Sequence, residues 1–212
     1  HTVNDEIIKF GLSVTGIARP EEITAIQGAR PGDDLVLTKA VGTGLVTTAL
    51  KRGVADPADV EATVRSMKTL NAAASRAMTR TGVRAATDIT GFGLLGHLFE
   101  MLEASGVSAE LTAATWPLLP GALRYAGEGV NTGGGRNNAA FVGDRIQFAP
   151  DVPAAVPVVG FDPQTSGGLL MAVPPDRTGP LLDQLAAEQV PVRAVIGRVG
   201  DGPAGTIRVR QG

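Results

Sequence analysis

The chain has 212 residues, of which 43% are hydrophobic, so it can bury a sizeable core as one large domain or as one domain with part of another. Its formal charge of −2 argues against a nucleic-acid surface, which needs clustered Lys and Arg, and its lack of cysteine excludes disulfides, zinc–thiolate sites and a cysteine nucleophile within the chain. No segment approaches the roughly 20 apolar residues of a membrane-spanning helix and no signal peptide is visible, so we expect a cytoplasmic protein without a membrane or nucleic-acid partner.

The first part of the chain alternates between strand and helix patterns. Alternating and β-branched residues predict a strand over 10–18, and the Pro-, Gly- and charge-rich segment 27–34 is interpreted as a domain boundary. A short buried strand at 35–38 then leads into a helix that ends near Lys51.

A long helix is predicted next. Asp56 fits an N-cap and Pro57 fits the first helical position. Apolar residues keep helical spacing to about Arg80, and Gly82 fits the stop, so we expect one continuous helix between them.

The remaining chain continues the alternation, and this indicates an α/β or α+β fold. The predicted strands are 83–87, 107–111, 169–173, 192–199 and 206–210. The predicted helices are 91–104, which Gly106 ends, 117–127 and 176–188. The predicted loops are the glycine-rich 130–138 and 161–168.

The run Thr87–His97 (TDITGFGLLGH) is the most informative segment. It places Asp88 on a turn between a strand and a helix, beside backbone N–H groups that are free at a helix N-terminus. Asp88 is therefore either a helix N-cap or a ligand for Mg²⁺, which takes about six oxygen ligands. No second acid stands nearby at D-x-D or D-x-x-E spacing, so the other ligands of a metal site would come from elsewhere in the fold or from protein outside this chain.

Three glycines and one histidine follow Asp88 in the predicted helix. Gly91, Gly93 and Gly96 each cost about 1 kcal/mol relative to alanine in a helix interior, so each needs a reason. Close packing on a neighbour is the preferred reason, and close approach of a ligand is the alternative. His97 is interpreted as a packed, hydrogen-bonded residue rather than a ligand.

Two other glycine-containing segments could bind anions. Lys39 with Gly42–Gly44 is similar to half of a phosphate loop but lacks the full G-x-x-x-x-G-K-[ST] pattern, so a structural turn is preferred. The run Gly133–Asn138 is more suggestive, because consecutive glycines can form an anion-binding concavity in which Arg136 and Asn137 would hold phosphate. A flexible surface loop is the alternative.

The segment Asp162–Gly168 is predicted to be a rigid loop, since its polar residues stand between a proline and two glycines. Ser166 has no visible His and Asp partners, so we do not expect a serine nucleophile. The loop is interpreted as bracing the neighbouring strand ends.

Taken together, these motifs resemble the C-terminal part of the selenide, water dikinase (selenophosphate synthetase) family, within the aminoimidazole ribonucleotide synthetase-like superfamily. The resemblance covers essentially the whole chain. The segments that carry it are His1–Asp5 with Phe10–Gly16, Leu37–Lys39 with Gly42 and Gly44, Thr87–His97, Gly134 with Arg136 and Asn137, and Asp162–Gly168.

The resemblance implies a layered α/β/α fold with a mixed sheet over residues 29–212, preceded by strands left over from an N-terminal ATP-binding domain, plus a linker, over 1–28. It implies a homodimer that uses Mg²⁺ and converts ATP, selenide and water to selenophosphate, AMP and phosphate. Asp88 would be a metal ligand, and His1 and Thr2 would bind ATP. The family's catalytic cysteine or selenocysteine and its lysine lie in the N-terminal half, so we expect no catalytic residue and no activity in this chain alone.

Two other functions stay open. The chain could come from another ATP-using enzyme of the same superfamily, which product analysis would reveal. It could also be a binding or assembly module without catalysis, and this is favoured by the lack of paired carboxylates and of a nucleophile. The reading frame upstream of His1 distinguishes the module from the enzyme.

Overall fold

The computed structural model describes residues 11, 13, 15–20 and 23–212. Strands and helices alternate along most of this region. The strands are β1 (Asp34–Leu37), β2 (Ala85–Asp88), β3 (Ser108–Thr112), β4 (Ile146–Phe148), β5 (Leu169–Val173), β6 (Ala194–Gly200) and β7 (Ile207–Arg210). The α-helices are α1 (Thr43–Lys51), α2 (Pro57–Lys68), α3 (Ala72–Thr81), α4 (Gly93–Ser105), α5 (Ala122–Gly127), α6 (Gly133–Val142), α7 (Ala155–Gly160) and α8 (Pro175–Ala187).

The strands of the described region form one mixed seven-stranded sheet in the order β2-β5-β1-β6-β3-β7-β4. β5 pairs antiparallel with both β2 and β1, and β6 pairs antiparallel with both β1 and β3. β7 runs parallel to β3 and to β4. The sheet is therefore mixed, as the family resemblance implies.

Side chains that alternate along β1 show how the layers are arranged. Leu35 and Leu37 belong to the larger apolar core, which also includes residues of α1, α4, α5, α6 and α7. Val36 faces the other way and packs in a second cluster with residues of α3 and α8. Because successive strand residues point to opposite faces, the sheet lies between two helical layers, and the predicted α/β/α layering is confirmed.

Two sequence-based features of helix ends are confirmed. Asp56 caps α2, since its Oδ1 accepts a hydrogen bond of 2.8 Å from the backbone N–H of Ala58 and Pro57 begins the helix. Gly82 ends α3 and Gly106 ends α4, both in the left-handed conformation that favours glycine (φ of 65° and 71°). Among the described residues, no helix has the length and apolar character needed to cross a bilayer.

The single long helix expected from Pro57 to Arg80 is wrong, because the chain breaks between α2 and α3. Thr69 takes an extended conformation (ψ 123°), and its carbonyl oxygen accepts a 2.6 Å hydrogen bond from Nζ of Lys39. Asn71 donates through Nδ2 to the carbonyl oxygen of Gly167 at 2.8 Å. These partners are distant in sequence, so the apolar periodicity could not reveal the break.

The glycine-rich loop predicted at 130–138 is also wrong, since α6 begins at Gly133. Thr132 caps this helix by accepting a 3.0 Å hydrogen bond from the N–H of Gly135. The sequence patterns also missed α7 and β4. The strand predicted over 10–18 falls partly outside the described residues, and its described positions form no strand.

Candidate functional site

The site lies at one end of the sheet, where three strand ends meet. β2 ends at Asp88, which pairs with Leu169 at the start of β5, and the N–H of Thr38, just after β1, donates to the carbonyl oxygen of Leu169 at 3.1 Å. Because α1 follows β1 and α4 follows β2, the N-termini of both helices come to this end of the sheet, together with the loop that precedes β5. The motifs at 42–44, 87–97 and 162–168 therefore converge.

Asp88 is exposed at the end of β2. No hydrogen bond or ion pair within the described region reaches that carboxylate. The N-cap interpretation is wrong, since α4 begins at Gly93 and has no side-chain cap. The backbone after Asp88 is held firmly, because the N–H of Ile89 donates to Gly168 O (2.9 Å) and the N–H of Gln164 donates to Thr90 O (2.9 Å). The fold thus presents a free carboxylate on a well-anchored turn.

The donor set around Asp88 is too small for a complete magnesium site. Among the residues that the structure describes, no three His, Cys, Asp or Glu side chains come together in a group that could hold a metal ion. A free carboxylate has the right chemistry for Mg²⁺, but it supplies one or two of about six oxygens. Asp88 therefore fits as one ligand of a larger site and not as a site by itself.

The three glycines that follow Asp88 have different structural roles. Gly93 has φ +71°, and a Cβ there would lie 2.8 Å from the carbonyl carbon of Phe161, so α4 can approach that loop only with glycine at this position. A Cβ on Gly96 would lie 2.8 Å from Cβ of Phe92, whereas Gly91 faces open space. Close packing thus explains Gly93 and Gly96.

His97 is packed and hydrogen-bonded, as predicted from the sequence. Its Nε2 lies 3.4 Å from the backbone N of Phe92 and 3.1 Å from Oγ1 of Thr90, and its Nδ1 lies 3.0 Å from Oε2 of Glu100. Since a backbone N–H can only donate, Nε2 accepts, and the proton therefore sits on Nδ1 and is donated to Glu100. His97 thus stabilises the turn after Asp88 through its contacts with Thr90 and Phe92.

In the segment Gly42–Gly44, which is similar to half of a phosphate loop, the backbone N–H groups already donate to acceptors within the protein. Oε1 of Gln164 accepts from the N–H groups of Gly42 (2.9 Å) and Thr43 (3.1 Å). The carboxylate of Asp162 accepts from the N–H groups of Gly44 and Leu45, the latter at 3.1 Å. The free donors of the α1 N-terminus are therefore satisfied by the 162–164 loop, and the structural interpretation of this turn is confirmed.

Lys39 also bonds to the protein itself. Its Nζ donates to the carbonyl oxygens of Thr69 (2.6 Å) and Ser166 (2.7 Å), and burial lowers the pKa of the ammonium group. The lysine thus ties the break between α2 and α3 to the loop before β5, in place of the phosphate contact that a P-loop lysine would make.

Gln164 is expected to contribute measurably to stability. In Gln164→Ala the N–H groups of Gly42 and Thr43 lose their buried acceptor, and we expect a loss of about 2 kcal/mol, or about 4–8 °C in Tm. Thermal unfolding followed by circular dichroism measures this loss. The control is Gln147→Ala on β4, where the side chain is exposed. Equal Tm values for the two variants would contradict the capping role.

Asp162 is expected to make stability depend on pH. Burial raises the pKa of its carboxyl group from an ordinary value of 3.8 to about 7, although the hydrogen bonds from Leu45, Gln164, Gly44 and Thr132 act in the opposite direction. The folded protein therefore keeps a proton that the unfolded chain loses near pH 4. This contribution to stability is complete below pH 4 and is lost as the pH rises to 7, at about 1.4 kcal/mol for each pH unit, with no further change above.

Asp162→Asn removes this ionisation. We expect the unfolding free energy of the parent protein, minus that of the variant, to fall from pH 4.5 to pH 7 and then to level off. Denaturant unfolding at half-unit pH intervals measures this difference, in which other titrating groups cancel. Parallel stability curves for the two proteins would show that Asp162 titrates normally.

Arg136 and Asn137, the predicted anion-binding residues, lie exposed in the first turns of α6. Gly134 serves packing, because a Cβ there would lie 2.7 Å from Cγ of Pro163. Sequence reasoning missed the role of the next residue, Asn138, which is buried and donates through Nδ2 to Gly91 O (2.9 Å) and Phe161 O (3.0 Å). Asn138 thereby joins α6 to the Asp88 turn. The predicted ATP-binding residues His1 and Thr2 lie outside the described residues.

Comparisons with known proteins agree with this architecture. A family model described as AIR synthase related protein, C-terminal domain, matches residues 30–210. The selenide, water dikinase of Pelobacter propionicus is 44% identical over 203 residues, which are 96% of this chain and 58% of that protein. That of Nitratidesulfovibrio vulgaris is 45% identical over 178 residues, which are 84% of this chain and 51% of that protein. The chain thus spans about half the length of the curated relatives it matches.

Solved structures show the same fold at lower identity. Thiamine-monophosphate kinase from Stenotrophomonas maltophilia K279a superposes with a TM-score of 0.63 at 17% identity, over 89% of this chain and 53% of that one. Hydrogenase maturation protein HypE in complex with ATP superposes with a TM-score of 0.59 at 19% identity, over 88% and 49%. The match of the family model to residues 30–210 decides the assignment: the chain belongs to the AIR synthase related proteins, of which it contains the C-terminal domain.

Proposed function

We propose that this chain is the C-terminal part of a selenide, water dikinase, an enzyme that converts ATP, selenide and water to selenophosphate, AMP and phosphate. The observation that carries the proposal is the 44% identity over 203 residues to a relative of that name. Relatives with other functions, such as thiamine-monophosphate kinase, are only 17% identical over a similar share of the chain, which favours the dikinase over another enzyme of the superfamily.

Asp88 is the residue that we propose to bind metal. Its carboxylate is exposed, free of hydrogen bonds within the described region, and held on an anchored turn. Mg²⁺ bound there would neutralise charge on the phosphate groups of ATP. The remaining ligands would come from the nucleotide and from protein outside this chain, so the chain alone is proposed to be inactive.

Arg136 and Asn137 are proposed to bind an anionic group of the substrate. Both are exposed on α6, which Asn138 ties to the Asp88 turn through Gly91. The guanidinium of Arg136 can make paired hydrogen bonds to phosphate oxygens. His1 and Thr2 are proposed to contact ATP, on the family resemblance alone.

The family resemblance adds further features to this proposal. These are Mg²⁺ as cofactor, a homodimer, a cytoplasmic location, and a division of the chain into residues 1–28, from the N-terminal domain and its linker, and residues 29–212, the C-terminal domain. Mass measurement of the longer protein in solution tests the dimer.

The decisive experiment compares this chain with the product of its full upstream reading frame. We expect the longer protein to release AMP from ATP only when selenide is present, with selenophosphate visible by ³¹P NMR, and the 212-residue chain to release none. Selenide-dependent AMP from the chain alone would refute its inactivity. ATP consumption without selenide would favour another enzyme of the superfamily, and a start codon directly before His1 would favour a binding module.

A further inference from the structure

Part of the sheet has helices on one face only. α3 and α8 pack on side chains of β1 and β5 such as Val36, Met171 and Val173. On β6, β3, β7 and β4, the side chains that point to the same side are exposed or half-buried. We call this side of the four strands the open face. Because β3, β7 and β4 run parallel to one another, and parallel strands are usually covered on both faces, a further layer is expected there.

A row of polar side chains crosses the open face from strand to strand. Asp34 on β1 pairs in register with Arg198, Arg198 with Glu110, Glu110 with Arg208, and Arg208 with Gln147. Residues that are directly opposite in paired strands point to the same side of the sheet. The row therefore carries alternating negative and positive charges and ends in a neutral amide.

Two charges of this row are little engaged within the described region. Asp34 and Arg198 already satisfy each other, since Oδ1 of Asp34 accepts from Nε and Nη2 of Arg198 at 3.0 and 2.8 Å. Among the described residues, the side chain of Glu110 makes one ion pair, of 4.0 Å to Nη2 of Arg210, and no hydrogen bond. Arg208 makes neither a hydrogen bond nor an ion pair with a described residue. A negative and a positive group thus remain available on neighbouring strands.

The open face is hollow around Glu110. Three hollows of about 250, 300 and 420 Å³ each have Glu110 and two arginines in their lining. Over the three hollows the charges balance, with three arginines and three acids: Arg198, Arg208, Arg210, Asp34, Glu110 and Asp201. Side chains of a partner can therefore enter beside Glu110, but a partner with charges of one sign would meet like charges.

A second copy of the chain is a partner whose charges match this pattern. When a twofold axis runs along the strands between β3 and β7, Glu110 of each copy faces Arg208 of the other. The same axis places Arg198 opposite Gln147, so no two like charges of the row meet. Packed sheets lie about 10 Å apart, a gap that a Glu–Arg pair can bridge. The open face is thus complementary to itself.

We propose that the open face is the contact between two copies of this chain, held by two reciprocal ion pairs between Glu110 and Arg208. The contact requires no ATP, metal or selenide, so it goes beyond the proposed reaction and is tested separately from it. Because the open face is polar and spans four short strands, the dimer is expected to be weak and reversible.

Sedimentation equilibrium of the 212-residue chain tests the contact. We expect a monomer–dimer equilibrium whose dissociation constant rises when NaCl is raised from about 50 to about 500 mM, because salt screens the ion pairs. Glu110→Arg and Arg208→Glu should each raise the dissociation constant at least tenfold, since each places two pairs of like charges across the contact. The double variant restores both ion pairs in reverse and should return the dissociation constant to within threefold of the parent value.

Glu61→Arg is the matched control, because it makes the same change of net charge as Glu110→Arg at an exposed position on α2. It should leave the dissociation constant unchanged. Circular dichroism of every variant shows whether it is folded. Glu110→Gln and Arg208→Gln, which remove a charge without reversing it, replace any single variant that does not fold.

Other outcomes overturn the inference. A chain that stays monomeric at every concentration lacks this contact, and binding of inorganic phosphate that Arg208→Glu abolishes would then assign the open face to an anion. Self-association that neither single variant weakens uses another surface. Equal weakening by Glu61→Arg would reduce the effect to net charge, and a double variant that does not recover would show that Glu110 and Arg208 do not pair. Because no turnover is measured, selenide-dependent AMP release can fail while the dimer forms, and the reverse.

Discussion

Replacing Asp88 by asparagine is expected to lower selenide-dependent AMP release by the longer protein at least about 100-fold. Loss of a hydrogen-bond partner behind a metal ligand already costs about 10–100-fold in many metal enzymes, and loss of a ligand's own charge should cost no less. Stability should change by less than about 0.5 kcal/mol, since the carboxylate is exposed and makes no hydrogen bond within the described region. Activity assays over a range of Mg²⁺ concentrations, with thermal unfolding of the same samples, measure both effects.

Asp183→Asn is the matched control for this prediction. Asp183 is an exposed aspartate on α8, which packs on the opposite face of the sheet from α4. It should keep full activity and the same dependence on Mg²⁺. If Asp88→Asn retained more than a tenth of the activity at saturating Mg²⁺, Asp88 would not be an essential ligand.

Replacing Gly167 by alanine is expected to destabilise the protein by about 3 kcal/mol, which lowers Tm by about 6–12 °C. A Cβ at this buried position would collide with the carbonyl group of Ile89 and lie 3.2 Å from Cβ of Gln164. The nearer obstacle is backbone that is held in place, because Ile89 N–H is bonded to the carbonyl oxygen of Gly168 and Nδ2 of Asn71 is bonded to that of Gly167. The collision between the new Cβ and Ile89 can therefore be relieved only if the Asp88 turn or the loop before β5 moves.

The control for Gly167→Ala is Gly91→Ala, where a Cβ meets no atom within 4 Å. We expect its Tm to stay within about 2 °C of the parent value, so that the loss of a glycine as such is separated from steric collision. Chemical denaturation gives the same comparison as a free energy. Equal Tm values for the two variants would show that the loop before β5 relaxes freely.

The local sequence predicts most elements whose signals are themselves local. Asp56 and Pro57 mark the start of α2, and the glycines at 82 and 106 mark helix ends, because capping depends on residues within one turn. The apolar run at 169–173 predicts the internal strand β5 with its observed bounds. The motif order carries the family resemblance, and the family match confirms it.

Other features depend on partners that are remote in the chain. The helix break at Thr69 is produced by Lys39, 30 residues earlier. Residues 133–142 form a helix although the segment begins with three glycines. Asn138 of this helix bonds to Gly91, 47 residues away, and Pro163 leaves no room for a side chain at Gly134. The acceptors for the start of α1 come from Gln164 and Asp162, at least 117 residues later.

The sequence by itself determined the family and the alternation of strands and helices, and it predicts Asp88 as a metal ligand. Only the tertiary structure decided that Asp88 has no partner among the described residues and is not a helix cap. It also decided that Gly93 and Gly134 are closely packed and that the N–H groups of Gly42 and Thr43 already have an acceptor. The physical reason is that composition and periodicity report which face of a segment is apolar. Whether a carboxylate, an N–H group or a ring is satisfied depends on atoms that folding brings from far along the chain.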